Sequence, residues 1–375
     1  MYFDLSKPQQ LFADSVRDFC GREFTPERVR ELMETEAAID DRLWQEFADQ
    51  GWLGLHISED HEGLGLGTVD LAVLAEEFGR ACVSGPWLAN TWGVSLLSAI
   101  GGAAAASQLP DLIGGSSKVA VAALEEDAGW ILRPQTLEAS VHGGKLNGSK
   151  VAVQHAGQAD VLLIPARVHV PGRVNDDIVI VSVPVSADGV SIELTAGIDA
   201  TRTLYSVTLQ DVAVVDDQVL AIGTAAEAAW KTASQTMTVA VAAEMLGLQE
   251  WMLATTVEYA KTRKQFDKTI GSFQAVQHKC AEILQLTESA RAAVWYAAWA
   301  VQEGTEDVEQ AVAVAKAYTS DAARIAGNVS VQCHGGIGFT WEHDLHLYYK
   351  RAKADEFLFG DASLHREQLG AAALA

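Results

Sequence analysis

"VSVQCHGGIGFTWEHD", from Val329 to Asp344, contains a glycine-rich turn. Its glycines, Gly335, Gly336 and Gly338, separate two segments whose apolar residues recur at helical spacing. Glycine-rich turns that bind phosphate usually follow a strand and open a helix, but this turn follows a helical segment. Two interpretations are open: a plain helix–helix connection, or a turn whose backbone lies against another molecule because glycine permits close approach.

Three regions with different patterns make up the chain. Residues 1–117 and 223–375 have apolar residues at helical spacing, and residues 118–222 contain short Val-, Ile- and Leu-rich runs between Gly, Pro, Asp and Asn. The order helix, strand, helix predicts an α+β fold with an N-terminal helical domain, a middle β domain and a C-terminal helical bundle. A length of 375 residues agrees with two or three sub-domains.

Charge and cysteine use limit the possible partners. The 27 Lys and Arg residues against 50 Asp and Glu residues give a net charge of -23, which argues against nucleic acid and anionic membranes. The four cysteines form no CxxC pair, so we expect reduced thiols. No basic segment followed by an apolar run opens the chain, so we expect no signal peptide and a cytoplasmic protein.

A histidine-rich group near the glycine turn is a candidate metal site. It contains His334, His343, Asp344 and His346. No cysteine and no second cluster completes a ligand set, so we predict no metal.

A second motif, "EYAKTRKQFDKTIGSFQAVQHKCAE" from Glu258 to Glu282, places basic residues at the end of a predicted helix. Arg263 could bind a pyrophosphate with two parallel hydrogen bonds, and Phe266 offers a flat face to a base. The alternative is a basic helix end that complements the helix dipole, with Phe266 in the core.

The two motifs together resemble the C-terminal domain of acyl-CoA dehydrogenases. "RKQF", "GSFQAVQH" and "QCHGGIGFTWEHDLHLYYKRAK" carry this resemblance; "LWQEFADQGWLGLHISEDHEGLGLGTVDLAVLAEEFGRA" resembles the family's N-terminal domain, and "LNGSKVAVQHAGQADVLLIPAR" its middle domain. The resemblance implies a helical N-terminal domain, a middle β-barrel and a C-terminal four-helix bundle. It also implies FAD, an acyl-CoA substrate that gains a 2,3-double bond, and an electron-accepting partner protein.

The resemblance also implies where FAD binds. In this family the ADP half of each FAD is bound by the neighbouring subunit, which implies a homo-oligomer or a hetero-oligomer with a homologous chain. By this resemblance, Arg263 would contact the pyrophosphate, Phe266 would lie near the adenine, and Gln274 would start the next helix. The close-approach turn would be formed by Gln332, Cys333, His334, Gly335 and Gly336.

The sequence departs from the family pattern in the flavin-contacting loops of the middle domain. The usual Thr-Glu-Pro…Gly-Ser loop reads "LEEDAGW" from Leu124 to Trp130, and the usual Trp-x-Thr falls on Ala152 and Gln154. The half-site for this chain's own FAD is therefore reduced, while the half-site for a neighbour's FAD is intact.

The usual catalytic base is also missing. The family's Tyr-Glu-Gly-Thr stretch matches "FLFGDA", which puts Phe359 at the glutamate position, and the alternative family position on the long helix falls on Met237. The nearest substitutes are Glu244, which could equally be a buried carboxylate bonded to a neighbouring helix, and Asp361, which could equally be a helix N-cap.

Three functional hypotheses follow from these residues. The first is an acyl-CoA dehydrogenase whose base is Glu244 or Asp361. The second is a non-catalytic subunit of a hetero-oligomeric dehydrogenase, which completes the partner's FAD site. The third is another flavoenzyme on the same fold, such as a monooxygenase or a nitroalkane-oxidising enzyme.

Overall fold

The polypeptide follows the order of helices, strands and helices that the sequence predicts, so the α+β fold class is confirmed. The computed structural model describes residues 5–126 and 129–374. The helices before the strands are α1 (Lys7–Glu23), α2 (Pro26–Met33), α3 (Asp41–Asp49), α4 (Thr68–Arg80), α5 (Trp87–Ile100), α6 (Gly102–Ala106) and α7 (Leu109–Ile113).

The middle of the chain forms one twisted sheet of short strands. They are β1 (Val119–Val121), β2 (Ser140–His142), β3 (Lys145–Gln154), β4 (Val161–Val168), β5 (Asp177–Pro184), β6 (Val190–Thr195), β7 (Leu204–Ala213) and β8 (Val219–Ile222). The strand order is β6-β7-β3-β2-β4-β5-β8, and β1 also pairs with β4 in parallel. The predicted middle β domain is therefore a sheet in which β4 is a central strand.

The sheet is held together by a core of branched aliphatic side chains. β4 and β5 pair antiparallel over eight positions, from Val161↔Pro184 to Val168↔Asp177, and most of their residues are buried. This explains why their sequences read as continuous apolar runs rather than as alternating ones. The fully buried core members include Leu146, Leu162, Ile164, Val181, Val207 and Val212.

The C-terminal part is helical. It contains α8 (Thr224–Thr262), a small hairpin of β9 (Lys264–Gln265) and β10 (Lys268–Thr269), and then α9 (Gln274–Glu303), α10 (Val308–His334), α11 (Leu345–Asp355) and α12 (Ala362–Leu374). Leu246 of α8, Ala290 of α9 and Ala322 of α10 form one buried cluster. The many alanines allow such long helices to pack closely. No helix in the described chain is both long and apolar enough to cross a membrane.

The contacts divide the chain into two compact units that interleave along the sequence. The first, which we call the helical unit, comprises Met1–Glu31, Gly67–Val83 and Thr238–Ala375. The second, which we call the strand-rich unit, comprises Leu32–Leu66 and Ser84–Met237. The predicted three-way division at 117/118 and 222/223 agrees with the strand bounds and stays a prediction.

In the first of these units, α4 and α8 approach each other backbone to backbone. A Cβ atom on Gly79 would lie 2.0 Å from the carbonyl oxygen of Glu244, and one on Gly247 would lie 1.9 Å from the carbonyl oxygen of Glu76. Both distances are far inside van der Waals contact, so only glycine fits at these two positions. This close crossing fixes where the side chains of α8 point.

We expect Gly247→Ala to destabilise the protein by about 3 kcal/mol, because the added methyl group forces two helix backbones apart. Gly21→Ala in α1 is the matched control, since a Cβ atom there meets nothing within 4 Å. The control should be neutral or stabilising by up to about 1 kcal/mol. Thermal unfolding of both variants measures this, and equal midpoints would contradict the close crossing.

Candidate functional site

The β9–β10 hairpin displays the residues of the second motif on the surface. Phe266 and Asp267 form its turn, with φ of 54° and 62°. Phe266 is 88% exposed and contacts Phe273 edge to face, with ring centroids 6.3 Å apart. The alternative that Phe266 lies in the core is therefore wrong. An exposed phenyl ring beside a second aromatic ring is suited to contact a planar group from outside the chain.

The base of the hairpin carries positive charge. The backbone of Arg263 is fixed by hydrogen bonds from its own N–H to Tyr259 O (2.8 Å) and from Ile270 N–H to its carbonyl oxygen (2.8 Å). Within the described residues, the exposed side chains of Arg263, Lys264 and Lys268 make no ion pair. In a chain of net charge -23, three unpaired cations at one hairpin form a local site for an anion.

The hairpin and the glycine turn lie at the same end of the helical unit. The rings of Tyr259, one turn before the end of α8, and His334, the last residue of α10, are stacked with centroids 4.5 Å apart. His334 is buried, and its Nδ1 donates a hydrogen bond to Ser330 O at 2.8 Å. Burial lowers the pKa of His334, so this ring is neutral near neutral pH.

The glycine turn itself is open on its outer side. Gly335 has φ of 65°, which favours glycine, and a Cβ atom on Gly335 or Gly336 would meet nothing within 4 Å. These two glycines therefore serve no packing within the chain. Gly338 differs, because a Cβ atom there would lie 3.1 Å from His334 Cβ. An open, exposed backbone turn agrees with close approach by a group from outside.

Large aromatic side chains surround the turn. Phe339 is 75% exposed and Trp341 is 63% exposed, and Lys350 Nζ lies 4.4 Å from the centre of the Trp341 ring. Such rings are rarely left in water at a surface without a partner. We call the hairpin, the glycine turn and these aromatic residues the distal surface.

The remaining predicted cofactor residues fall on or beside this surface. Gln274 is the exposed first residue of α9, directly after Phe273. Gln332 is exposed on the last turn of α10, whereas Cys333 is half-buried and burial raises its pKa to about 11. The structure thus brings the predicted residues to one end of the unit, and the cations, the flat rings and the open glycines fit the ADP half of a dinucleotide. Their role as FAD contacts stays a prediction.

Glu244 lies in a buried ion pair. Its Oε1 accepts a hydrogen bond of 2.6 Å from Nη1 of Arg351 on α11, and the same nitrogen donates to Val83 O at 3.1 Å. Glu244 is 1% exposed and Arg351 is fully buried. The Oε1 atom of this carboxylate is thus already occupied as an acceptor by the guanidinium. This arrangement favours the structural alternative for Glu244.

Asp361 is the N-cap of α12. Its Oδ1 accepts a hydrogen bond of 2.9 Å from the backbone N–H of Leu364, three residues on. This is the ordinary capping geometry, which satisfies one of the free N–H groups at a helix start. The geometry favours the structural alternative for Asp361 as well.

The turn between α11 and α12, residues 356–361, is closed around a phenyl ring. Phe359 is 7% exposed and has φ of 57°. His365 Nε2 donates to Phe359 O at 3.0 Å, and Lys316 Nζ donates to Glu356 O and Gly360 O, both at 2.9 Å. Burial lowers the pKa of Lys316 to about 8 and that of His365 to about 4. A fixed apolar side chain therefore lies where the resemblance predicts the base.

Lys316 and His365 are not among the residues predicted from the sequence. A lone lysine in the apolar run "AVAVAKAY" is the signal that could have found the first of them, because a buried cation needs several acceptors. Met237, the alternative base position, is fully buried, and the Oγ of Ser95 lies 3.8 Å from its sulfur.

The strand-rich unit contains a buried ion pair near the altered flavin-contacting loops. Lys150 Nζ donates to Glu125 Oε1 at 2.6 Å, and Glu125 also accepts from the backbone N–H groups of Glu138 and Ala139. Ala152 has φ of 51° within a register shift of β3 against β7. Ala152 offers only a methyl group where the resemblance predicts an aromatic ring. Part of the loop "LEEDAGW", residues 127 and 128, lies outside the described residues.

The described residues contain no cluster of three or more His, Cys, Asp or Glu side chains that could hold a metal. Asp344 and His346 contact Arg30, and His343 packs edge to face against His334.

Comparison with known proteins identifies the class of this chain. The profile of the acyl-CoA dehydrogenase N-terminal domain matches residues 6–116, and that of the C-terminal domain matches residues 228–374. The chain therefore belongs to the acyl-CoA dehydrogenase family, whose members are FAD-dependent oxidoreductases.

Individual relatives are similar over nearly the whole length. Acyl-CoA dehydrogenase IpdE2 of Mycolicibacterium smegmatis is 30% identical over 97% of this chain and 97% of its own. A chain in the crystal structure of the ChsE4-ChsE5 complex from Mycobacterium tuberculosis is 26% identical, with a TM-score of 0.86 over 99% of this chain and 98% of its own. A solved FAD-dependent dehydrogenase is 25% identical, with a TM-score of 0.85 over 99% of this chain and 100% of its own.

We expect Glu244→Leu to destabilise the protein by about 3–5 kcal/mol, because it leaves the buried Arg351 without its counter-charge. The double variant Glu244→Leu with Arg351→Met should recover much of this loss, since it removes both charges. Thermal unfolding measures both.

Arg28→Ala is the control for this prediction, because Arg28 pairs with Glu31 on the surface. It should change stability by less than about 1 kcal/mol. If Glu244→Leu is as mild as this control, the ion pair contributes no more than a surface pair.

Proposed function

We propose that this chain is the base-lacking subunit of a hetero-oligomeric, FAD-dependent acyl-CoA dehydrogenase. In this assembly its distal surface would bind the ADP half of an FAD whose flavin belongs to a homologous partner chain. The observation that carries the proposal is the closed 356–361 turn, where the buried Phe359 takes the place of a carboxylate. His365 bonds to the carbonyl oxygen of Phe359, and Lys316 bonds to that of the neighbouring Gly360.

The other positions for a base support the same proposal. Glu244 forms an ion pair with Arg351, Asp361 caps α12, and Met237 cannot accept a proton. A general base contributes about 10²- to 10⁴-fold to a rate, so its absence from one chain requires a second chain that carries it. The partner would remove the α-proton of an acyl-CoA thioester.

The residues of this chain would bind and orient the cofactor. FAD, when bound, accepts a hydride from the substrate in this family. Arg263, with Lys264 and Lys268 beside it, would hold the pyrophosphate, and Phe266 would cover the adenine. The open turn at Gly335 and Gly336 would let the backbone approach the dinucleotide directly.

One feature of a relative is compatible with the proposal. A similar chain was solved in a complex named for two components, ChsE4 and ChsE5, which is the kind of pairing proposed here. We also infer that an electron-accepting protein reoxidises the flavin of the assembly.

The second candidate is a self-sufficient dehydrogenase in which Glu244 or Asp361 acts as the base. It requires the Glu244–Arg351 pair to open or the α12 cap to be lost during the reaction. Flavin bleaching by an acyl-CoA separates the two candidates, because only a chain with its own base bleaches flavin alone.

For the base-lacking subunit, we expect the chain purified alone to hold little FAD and to show no bleaching with acyl-CoA. Co-expression with a homologous chain that has the usual Tyr-Glu-Gly-Thr stretch should yield a yellow assembly that bleaches. In that assembly Glu244→Gln and Asp361→Asn in this chain should leave the bleaching rate within about threefold, because neither is the base. A collapse of the rate in Glu244→Gln, in a form that stays folded, would favour the second candidate.

We expect Arg263→Ala to weaken FAD retention by the assembly by about 2–5 kcal/mol, because the pyrophosphate loses a paired guanidinium. The bound flavin is measured by its visible absorbance after dialysis, and the fold is followed by far-ultraviolet circular dichroism. Arg42→Ala is the control, since Arg42 is exposed and pairs with Glu46 one turn along α3. Unchanged flavin content in Arg263→Ala would mean that the motif is only a basic helix end.

A further inference from the structure

Residues 337–350, which run from the glycine turn into α11, contain two histidines, His343 and His346. We call these residues the histidine-containing segment. The hydrogen-bond partners of the two rings fix which ring nitrogens carry a proton. The backbone N–H of Leu345, the first residue of α11, donates to Nδ1 of His343 at 3.1 Å. Because a backbone N–H can only donate, this nitrogen must carry a lone pair and no proton. Protonation at this atom would remove the hydrogen bond and place positive charge at a helix N-terminus, where the dipole disfavours it.

His346 is constrained in the same way by a different donor. Nη1 of Arg30, on α2, lies 3.4 Å from its Nε2, and a guanidinium has no lone pair to offer. The ring is buried and packs edge to face against Trp341, with centroids 4.5 Å apart. A proton on Nε2 would therefore point at a positive charge, in a largely buried site.

Other charged and aromatic groups surround the two rings. Arg30 is paired with Asp344 through Nη2 at 2.6 Å and Nε at 3.2 Å, and Lys350 Nζ lies over the ring of Trp341. His334 of α10 contacts His343 edge to face with centroids 4.7 Å apart, and it is itself stacked on Tyr259 of α8. Asp344 is the nearby group that favours protonation, and its carboxylate is already held by Arg30.

We propose that this segment is an acid-sensitive element: protonation of His343 and His346 releases the start of α11 and the aromatic part of the distal surface, and so weakens binding of the partner's FAD. The link to FAD rests on the proposed function, whereas the release of the segment does not. The ligand chemistry concerned is the ADP half of a dinucleotide held by a second, homologous chain.

The direction of the pH effect follows from the environment of the rings. Burial lowers the pKa of His343, and burial with the nearby Lys350 and Arg30 lowers the pKa of His346 to about 4. The ordinary value is 6.5, so the unfolded or released segment binds protons more strongly than the closed one. The stabilisation is therefore complete above pH 6.5 and is lost as the pH falls from 6.5 towards about 4.

Hydrogen exchange of the chain alone tests the release of the segment. For peptides covering residues 337–350, we expect protection, corrected for intrinsic chemistry, to fall about tenfold or more between pH 7 and pH 5. The double variant His343→Asn with His346→Gln should lose this pH dependence, because both amides accept the same hydrogen bonds without titrating. His142→Asn, on an exposed position of β2, is the control and should behave as the wild type.

The outcomes separate the two parts of the proposal. Wild-type protection that does not change between pH 7 and pH 5, or a pH dependence that survives in the double variant, overturns the acid-sensitive element. If the double variant does not fold, the single variant His343→Asn should show a reduced pH dependence, and an unreduced one overturns the proposal. FAD retention by the co-expressed assembly is then compared at pH 7 and pH 5. Release at pH 5 in the wild type but not in the variant supports the link to FAD binding. An assembly that never binds FAD contradicts the proposed function alone.

Discussion

The ion pair between Glu244 and Arg351 is the constraint on which the arrangement of the helical unit depends. Two full charges removed from water are tolerable only if their geometry is fixed, and here the guanidinium also holds the carbonyl oxygen of Val83. Arg351 lies near the middle of α11. Since α11 runs from the histidine-containing segment to the closed 356–361 turn, anchoring this helix fixes both ends at once.

The two ends of α11 have opposite characters. Before it, the backbone is open, glycine-rich and lined by exposed rings. After it, the backbone is closed, and two buried side chains from neighbouring helices, Lys316 and His365, occupy its carbonyl groups. Active members of the family need both a cofactor surface and a base. We propose the open end as the cofactor surface, and the closed end holds the buried Phe359 where the resemblance places the base. That asymmetry is the physical basis for assigning the chemistry to a partner.

The order of helices and strands could be predicted because periodicity is a local property of the sequence. The sequence leaves two alternatives for Phe266, an exposed ring or a ring in the core. The β9–β10 hairpin decides between them, but nothing in "RKQFDKT" predicts that hairpin. The partner of Glu244 could not be predicted at all, because Arg351 is 107 residues away and nothing local marks the two as a pair. The same holds for Lys316, whose acceptors belong to a turn 40 to 44 residues later. Side chains that act through distant partners are beyond the reach of a single sequence.

The exposed rings of the distal surface also bear on how the chain behaves before it meets a partner. Phe266, Phe339 and Trp341 expose most of their surface to water, which in a free chain promotes self-association. The overall charge of -23 opposes this, because copies of the chain repel one another at the distances where rings would make contact. Repulsion between like-charged surfaces is screened within about 10 Å at 0.1 M salt. The chain therefore remains dispersed most readily at low ionic strength, and its colloidal stability in concentrated salt depends on how quickly the rings are covered.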